Sequence, residues 1–400
     1  MLVKRAYKYR FYPTEQQQRQ LLRTFGCVRL VYNRALQARA DTWGREQRTV
    51  NYAETSAMLT VWKKSSELTF LNHVSSVPLQ QTLRHLQSAF TSFFNKRAKF
   101  PRFKSRKKSR ASAEYTRSAF VWRDGRLKLA KMDQPLSIRW SRPLPEGATP
   151  STVTVSLDPA GRWFVSILIE TGVSELPRSR TAVGVDLGVT SLVTLSTGEK
   201  IGNPRHEQLA RVKLARAQRR LARRVKGSAN RAKARRAVAR IHAGIADRRR
   251  DLLHKLTTRL VRENQTIVIE DLNVSGMLGR SRLARAISDA AWSEFRTMIE
   301  YKAAWRGRAV VVVDRWFPSS KICSGCRLLL DSLDLSVRTW TCTGCGTEHD
   351  RDINAAKNIL TAGLAVAACG GDVRPTRHQS ARRSPVKQES RSARVEVPCP

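Results

Sequence analysis

The sequence predicts an α+β chain of several domains, in which a small β barrel interrupted by a helical lobe is followed by an α/β layer carrying a four-cysteine insert. Three observations predict it. Strand-type alternation flanks a long helical stretch in the first half. In the second half, short Val/Ile runs alternate with helical periodicity, the pattern of strands covered by helices. Two close pairs of cysteines then interrupt that alternation just before the last helix. With 400 residues, 41% of them hydrophobic, the chain has room for about two to three domains and a real core.

Over residues 3–12, Val3, Tyr7, Tyr9 and Phe11 share one side of a period-two pattern and Lys4, Lys8 and Arg10 the other, which predicts a half-buried strand with a basic face. Pro13-Thr14-Glu15 then opens a helix on which Leu21, Leu22, Phe25, Val28, Tyr32 and Leu36 recur near helical spacing. Further helices are expected over about 54–64 and 78–98. Residues 95–110, NKRAKFPRFKSRKKSR, carry nine basic side chains, no acid and two phenylalanines. Lys96, Arg97, Arg102 and Lys104 with Phe100 and Phe103 offer charge and stacking together, so the stretch reads as a nucleic-acid contact loop; a solvated linker is the plainer alternative. Strand patterns return at 120–122, 127–129, 152–157 and 163–169, the last two around the turn Asp158-Pro159-Ala160-Gly161. They place the barrel in 1–12 and 95–175, the helical lobe in 13–94, and a boundary in the polar run 171–180.

The second half opens with AVGVDLG at 182–188, a buried strand ending in Asp-x-Gly, and a further strand at 191–195. Residues 207–262 read as two cationic helices broken at Gly227-Ser228, with Leu214, Ala217, Leu221, Val238, Ile241 and Ile245 as their seam. Their arginine pairs, Arg219-Arg220 and Arg223-Arg224 among them, form either solvated surface or a phosphate-tracking face, and their density favours the second. A buried strand at 266–270, a helix near 289–305, a strand at 309–313 and a last helix from Arg351 complete an α/β layer spanning 181–318 and 347–368, with 319–346 as its insert. The Arg-, Ser- and Pro-rich residues 376–400 are expected to be a disordered tail.

Lys and Arg number 74 against 32 Asp and Glu, a formal excess of 42 positive charges. Self-repulsion on that scale calls for a polyanion, and nucleic acid releases its own counterions on binding, which argues against a small neutral or acidic metabolite as the main partner. Arg outnumbers Lys 54 to 20, which suits phosphate oxygens and guanine edges, although a bias toward Arg codons would give the same ratio. The amino-terminal residues lead into no apolar leader, and no apolar run approaches a membrane span, so an intracellular, cytoplasmic protein with no membrane partner is expected. Seven cysteines in a reducing compartment argue for metal binding where spacing is tight.

That spacing occurs at Cys323-x2-Cys326 and, fifteen residues on, Cys342-x2-Cys345. Two knuckles of two thiolates close a tetrahedral zinc site with no open position, hence one structural Zn²⁺. Cys27 lies on the apolar side of a helix and reads as core, and His349 as local structure. Three carboxylates stand in contexts of a different kind: Asp186 and Glu270 end buried strands, and Asp352 lies at the start of the last helix. An acid ending a Val/Ile strand is costly unless used, and three from one layer can hold two Mg²⁺ ions about 4 Å apart for phosphodiester hydrolysis. An Asp before Gly also serves simply as a turn, and either Asp350 or Asp352 would serve as a helix cap. No phosphate-binding loop, HExxH or His-x-His motif occurs.

Taken together, GVDLG at 184–188, IVIEDLN at 267–273, the CxxC pairs with RTWTC at 338–342, and HDRDINAAKNI at 349–359 closely resemble the TnpB family of transposon-encoded proteins. FYPTEQQ at 11–17, VYN at 31–33, FPRFKSR at 100–106, SDAAWSEF at 288–295 and GGDVRP at 370–375 extend the resemblance over nearly the whole chain to about residue 375. The resemblance implies an RNA-guided DNA endonuclease active in transposition and DNA recombination. It implies a wedge-like β barrel with an inserted helical recognition lobe, then a RuvC-like, ribonuclease H-type nuclease domain interrupted by a zinc ribbon. Motif for motif, Asp186, Glu270 and Asp352 would be the metal-binding catalytic acids, with Asp350 the weaker candidate for the third. Tyr52, Gln80 and Gln81 would contact the duplex flanking the target, and Arg338 would assist the scissile phosphate. The implied partners are a guide RNA from the element's own end and double-stranded target DNA, in a monomeric ribonucleoprotein acting at the nucleoid. Three rivals remain open: a nuclease-silent RNA-guided binder, a strand-transfer transposase, and a basic zinc-ribbon RNA-binding protein with a structural role.

Overall fold

A computed structural model describes residues 2–107, 109–280, 283–334 and 336–368. The expected tail at 376–400, the GGDVRP motif, Cys369 and Cys399 lie outside the described residues.

The chain begins with strand β1 (Leu2–Phe11) and helices α1 (Glu15–Glu46), α2 (Tyr52–Lys64) and α3 (Ser76–Phe94), with a 3₁₀ helix, Ser66–His73, before α3. Thr14 starts α1 through a capping box: its hydroxyl accepts from the Gln17 N–H at 3.3 Å, and Gln17 Oε1 accepts from the Thr14 N–H at 3.1 Å. Six strands follow: β2 (Ala111–Thr116), β3 (Phe120–Arg123), β4 (Arg126–Leu129), β5 (Ile138–Arg139), β6 (Pro150–Leu157) and β7 (Trp163–Gly172). They build a five-stranded antiparallel sheet ordered β2-β6-β7-β1-β5, with β3 and β4 as a separate hairpin. Alternate residues of the sheet, Tyr9, Phe11, Tyr115, Val153 and Ile167, are buried against Leu21, Leu36, Leu79, Leu83 and Leu86 of α1 and α3. The helices therefore close their apolar faces on the sheet, in one shared core, because neither layer alone could bury its own.

The second sheet contains β8 (Ala182–Asp186), β9 (Ser191–Leu195), β10 (Lys200–Gly202), β11 (Thr266–Glu270) and β12 (Ala309–Val313), in the order β10-β9-β8-β11-β12. β8, β9 and β10 form an antiparallel meander, whereas β11 runs parallel to both β8 and β12. Between β10 and β11 lie the cationic helices α4 (His206–Ala222) and α5 (Ala229–Glu263); α6 (Val274–Arg280), α7 (Ala284–Ala290) and α8 (Trp292–Arg306) precede β12. The helix expected as one at 289–305 is two, because Ala291 adopts a left-handed backbone, φ 55°, between α7 and α8. Leu253, Leu256, Leu260, Phe295 and Ile299 cover one face of the sheet. A short hairpin, β13 (Thr339–Thr341) with β14 (Glu348–Asp350), leads into α9 (Arg351–Ala368), whose Ile359 packs on Val268, Val311 and Val313 across the other face.

Arg308, buried, fixes the connection between the two sheets by donating to the carbonyls of Pro177 at 2.9 Å and Val261 at 3.3 Å and to Gln265 Oε1 at 2.6 Å. Arg162, in the β6–β7 connection, pairs with Asp158 at 2.6 Å and with Asp247 of α5. Among the described residues no helix is long and apolar enough to cross a membrane.

Candidate metal centres

Three carboxylates reach one region from three separate elements. Asp186 ends β8, Glu270 ends β11, and Asp352 lies in the first turn of α9. β8 and β11 are parallel and in register from Ala182↔Thr266 to Val185↔Ile269, so both acids leave the same end of the sheet. Helix α9 lies hard against these strands: a Cβ on Gly184 would stand 2.1 Å from the Ala356 carbonyl oxygen, and one on Gly363 2.2 Å from Val268 Cγ1. Only glycine at both positions permits that approach, which brings the start of α9 to the strand ends.

The electrostatics register the convergence. Burial first, then the charges of Glu270 and Asp352, push Asp186 from an ordinary 3.8 up to about 8, against the opposing pull of Arg351 and Lys200. Burial also raises Glu270, offset in part by the hydrogen bond that Ser319 Oγ donates to its carboxylate at 2.7 Å. Carboxylate oxygens are hard donors of the kind that Mg²⁺ takes, and a cation beside them would offset both the burial and the mutual repulsion that raise Asp186.

Asp350 and Asp352 have different surroundings. Asp350 Oδ1 accepts the N–H groups of Asp352 at 3.1 Å and Ile353 at 3.0 Å, and its Oδ2 takes Lys200 Nζ at 2.6 Å. Burial alone would raise the Asp350 pKa, but Lys200 and those two N–H groups outweigh it and hold it below the usual range. Asp350 is the helix cap. Asp352 keeps only looser contacts, Lys200 Nζ at 3.8 Å and the exposed Arg338 Nη1 at 3.7 Å.

Lys200, Ser319, Asn354 and Asn358 are neighbours of the candidate site that sequence reasoning missed. Asn358 Nδ2 donates to the carbonyls of Ser319 at 2.9 Å and Ile322 at 2.6 Å, and Asn354 Nδ2 to that of Ile322 at 2.7 Å. Asn354 Oδ1 accepts from the Ser324 N–H at 2.9 Å. Both amides are buried; Asn358 holds the backbone of Ser319, the residue that bonds Glu270, and Asn354 holds the chain that follows it at Ile322 and Ser324. The available signal was two asparagines four residues apart on one helical face.

The four cysteines assemble from two turns. Their Sγ atoms all lie within 4.8 Å of one another, with Cys323 to Cys345 at 3.7 Å and Cys326 to Cys342 at 3.5 Å. A tetrahedron of Zn–S bonds of about 2.3 Å has edges of about 3.8 Å, so the cluster could hold a zinc ion. Among the described residues it is the group of Cys, His, Asp and Glu ligand atoms close enough together to close round one ion. The Cys326 N–H points to Cys323 Sγ at 3.5 Å and the Gly344 N–H to Cys342 Sγ at 3.4 Å. The hydroxyl and N–H of Thr347 bring Cys345 down to about 6. His349, buried against Trp340, sets Nε2 3.0 Å from Cys323 Sγ, behind the thiol as a hydrogen-bond partner. Cys27 is buried in the first core.

The expected nucleic-acid contacts divide by exposure. Lys96, Arg97, Arg102, Arg219, Arg220, Arg223 and Arg224 are exposed, as are Phe100 and Phe103. Phe100 also packs edge-on against Phe90 and Phe93. Lys104 is half-buried, with Nζ 3.9 Å from the centroid of the Tyr32 ring, and its backbone is clamped by both amide atoms of Asn33 at 2.8 and 2.9 Å. Asn33 of the VYN motif thus anchors the middle of the basic loop. Gln80 is exposed and Gln81 buried; Tyr52 Oη accepts from Arg84 Nε at 3.3 Å.

Three family descriptions match the chain: a helix-turn-helix domain at 1–48, a probable transposase at 165–281 and a Cas12f1-like TNB domain at 292–359. The described residues of that stretch, 2–48, hold one strand and a single helix of 32 residues. A Streptomyces pristinaespiralis protein named "Putative RNA-guided DNA endonuclease" is 65% identical over 397 residues, covering 99% of this chain and 98% of the relative. The Escherichia coli K12 protein "Putative RNA-guided DNA endonuclease InsQ" is 36% identical over 400 residues, covering 96% of each. Among solved structures, the Cas12f1-sgRNA-target DNA complex shares the fold, with a TM-score of 0.56 at 13% identity over 90% of this chain and 99% of that one. Identity of this extent, over a chain whose strand-end acids and thiol knuckles lie where its motifs put them, establishes that the chain belongs to the TnpB family, the OrfB proteins of IS605 elements.

Proposed function

We propose that this protein is the RNA-guided DNA endonuclease of its transposable element, and that Asp186, Glu270 and Asp352 form its hydrolytic site. The observation that carries the reading is the convergence of three carboxylates from β8, β11 and α9, close enough that two of them help to drive the third up to about 8. The strand order, a three-stranded meander followed by two parallel strands, supports a RuvC-like, ribonuclease H-type domain made of 181–318 and 347–368, with 319–346 as a zinc ribbon. The five-stranded sheet and its hairpin support a wedge-like barrel of 1–12 and 95–175, with 13–94 as the recognition lobe.

When bound, two Mg²⁺ ions would supply activation of the attacking water and charge for the leaving oxygen. Asp186, Glu270 and Asp352 would hold them. Ser319 orients the Glu270 carboxylate, and Asp350 caps α9 and takes the Lys200 ammonium, which leaves the Asp352 carboxylate open. Arg338 stands 3.7 Å from Asp352, exposed, where its guanidinium can meet a phosphate. The exposed arginines of α4 and of the 95–110 loop would track the guide RNA and the heteroduplex, with base pairing selecting the target next to a short flanking motif, read near Tyr52 and the exposed Gln80, beside the buried Gln81.

The test is to purify the protein with its flanking transcript and supply matching DNA in Mg²⁺. Cutting is expected, and Asp186→Ala should abolish it without weakening RNA binding. Guide-independent cutting, or full activity of the variant, overturns the reading; joined rather than hydrolysed ends would make the protein a strand-transfer enzyme.

A further inference from the structure

Trp316 is 84% exposed, more than any other large hydrophobic side chain among the described residues. Its position is specific. It lies three residues after Val313, the register partner of Glu270 on β12, and three before Ser319, whose hydroxyl holds the Glu270 carboxylate. The indole therefore sits on the short segment that joins two direct neighbours of a candidate catalytic acid.

The segment is held tightly. Asp314 Oδ1 accepts the Trp316 N–H at 2.8 Å, the Asp314 carbonyl accepts the Phe317 N–H at 3.1 Å, and the Phe317 carbonyl accepts the Ser319 N–H at 2.8 Å. Arg315 is tied to Asp271, which is also bound by Arg296 at 2.7 Å. On the other side, Phe317 packs into the core of Val268, Val311, Val313 and Ile359. One aromatic is half-buried and its neighbour is presented to solvent on a backbone that both flanking side chains anchor. Among the described residues no ring or cation packs on the indole.

An indole presented rigidly to water loses a large hydrophobic gain, and recovers it when a flat partner covers it. The surroundings select the partner. Of the two nearby acids, Asp271 is neutralised by Arg296 and Arg315, and Asp314 turns one carboxylate oxygen back onto the Trp316 N–H. The chain as a whole carries 42 excess positive charges. We infer that Trp316 is a positioning residue that stacks on a nucleobase of the DNA strand entering the Asp186–Glu270–Asp352 site, and so sets the scissile phosphate against the acids. This rests on the endonuclease reading above. A stacked base is sequence-tolerant, because every base offers a π face, as a nuclease directed by pairing requires.

The experiment compares wild type, Trp316→Ala and Trp316→Phe, each as the guide-loaded complex, on matched DNA carrying single abasic nucleotides stepped through the region of the cut. Wild type should lose rate when one particular base near the cut is missing. Trp316→Ala should cut intact DNA roughly 10- to 100-fold more slowly, the loss expected for one stacked base, and be indifferent to that abasic position. Trp316→Phe should keep most of the rate and the abasic sensitivity. Guide RNA affinity and zinc content should be unchanged in all three. Wild-type rate in Trp316→Ala, or a slowed variant with its abasic sensitivity intact, overturns the inference. A loss of guide RNA affinity would put RNA on the indole and overturn it equally. A wild-type complex that leaves matched DNA uncut fails separately, and removes the endonuclease reading on which the inference stands.

Discussion

The thiol cluster and the carboxylate cluster solve opposite assembly problems. The four cysteines lie within 23 residues of chain, in two turns, one inside the Ile322↔Leu329 bridge and one at the tip of the β13–β14 hairpin, and their sulfur atoms all stand within 4.8 Å of one another. The three acids come from β8, β11 and α9, and are held together by a sheet, a helix and two glycines against their own repulsion. The first cluster is local and poised. The second is long-range and strained electrostatically, and shifted acids of that kind concentrate at functional sites.

The largest expected effect breaks the local cluster. Cys342→Ser removes a buried thiol, and a structural zinc site contributes about 10 kcal/mol or more to the fold around it, as much as a whole domain's usual stability. The variant should retain well under one equivalent of zinc by elemental analysis, and residues 319–346 should become sensitive to protease. A full equivalent of zinc in this variant would mean that the cluster does not depend on all four thiols.

The contrast also explains what was legible in the sequence. The cysteine spacing, the strand ends at Asp186 and Glu270, and the helix start at Arg351 are local patterns, and each lies where the sequence put it. The partition of Asp350 and Asp352 could not be read, because cap and ligand differ only in which N–H groups and cations approach them. Lys200 was silent for a related reason: it is one lysine among 20, and only the fold carries it 150 residues along the chain to Asp350. The closure of α1 and α3 on the first sheet was equally hidden, since a helix's periodicity names its apolar face but not the layer that covers it.

A second prediction sharpens the strained cluster. Asp186 is raised from 3.8 to about 8, so the folded state holds its proton more tightly than the unfolded chain does. Its contribution to stability is therefore fully present below pH 3.8 and lost progressively as pH rises through about 8. In chelator, denaturant unfolding of wild type should show falling stability between pH 5 and pH 8.5, relative to Asp186→Asn, which has no proton to lose. Mg²⁺ should stabilise wild type at pH 8.5 more than Asp186→Asn, and should release protons when it binds near pH 7. Parallel pH profiles for the two proteins would mean that Asp186 is not the frustrated member of the site.

The smallest effect tests the two aspartates that the sequence could not separate. Asp350→Ala removes a helix cap, worth about 1 kcal/mol, and a partly exposed ion pair with Lys200 that adds about 1 kcal/mol at most. The lowered pKa of Asp350 means that this contribution is present above the ordinary carboxylate range and lost as pH falls through the depressed value. Thermal unfolding at neutral pH should thus show a modest loss for Asp350→Ala that narrows at low pH, with cutting kept within about tenfold of wild type. Asp352→Asn should do the reverse, changing stability little and removing cutting, because its carboxylate caps nothing and has only contacts of 3.7 and 3.8 Å. If Asp350→Ala ends cutting while Asp352→Asn spares it, the third acid is Asp350, and the Lys200 ammonium at 2.6 Å must leave its carboxylate before a metal can be held there.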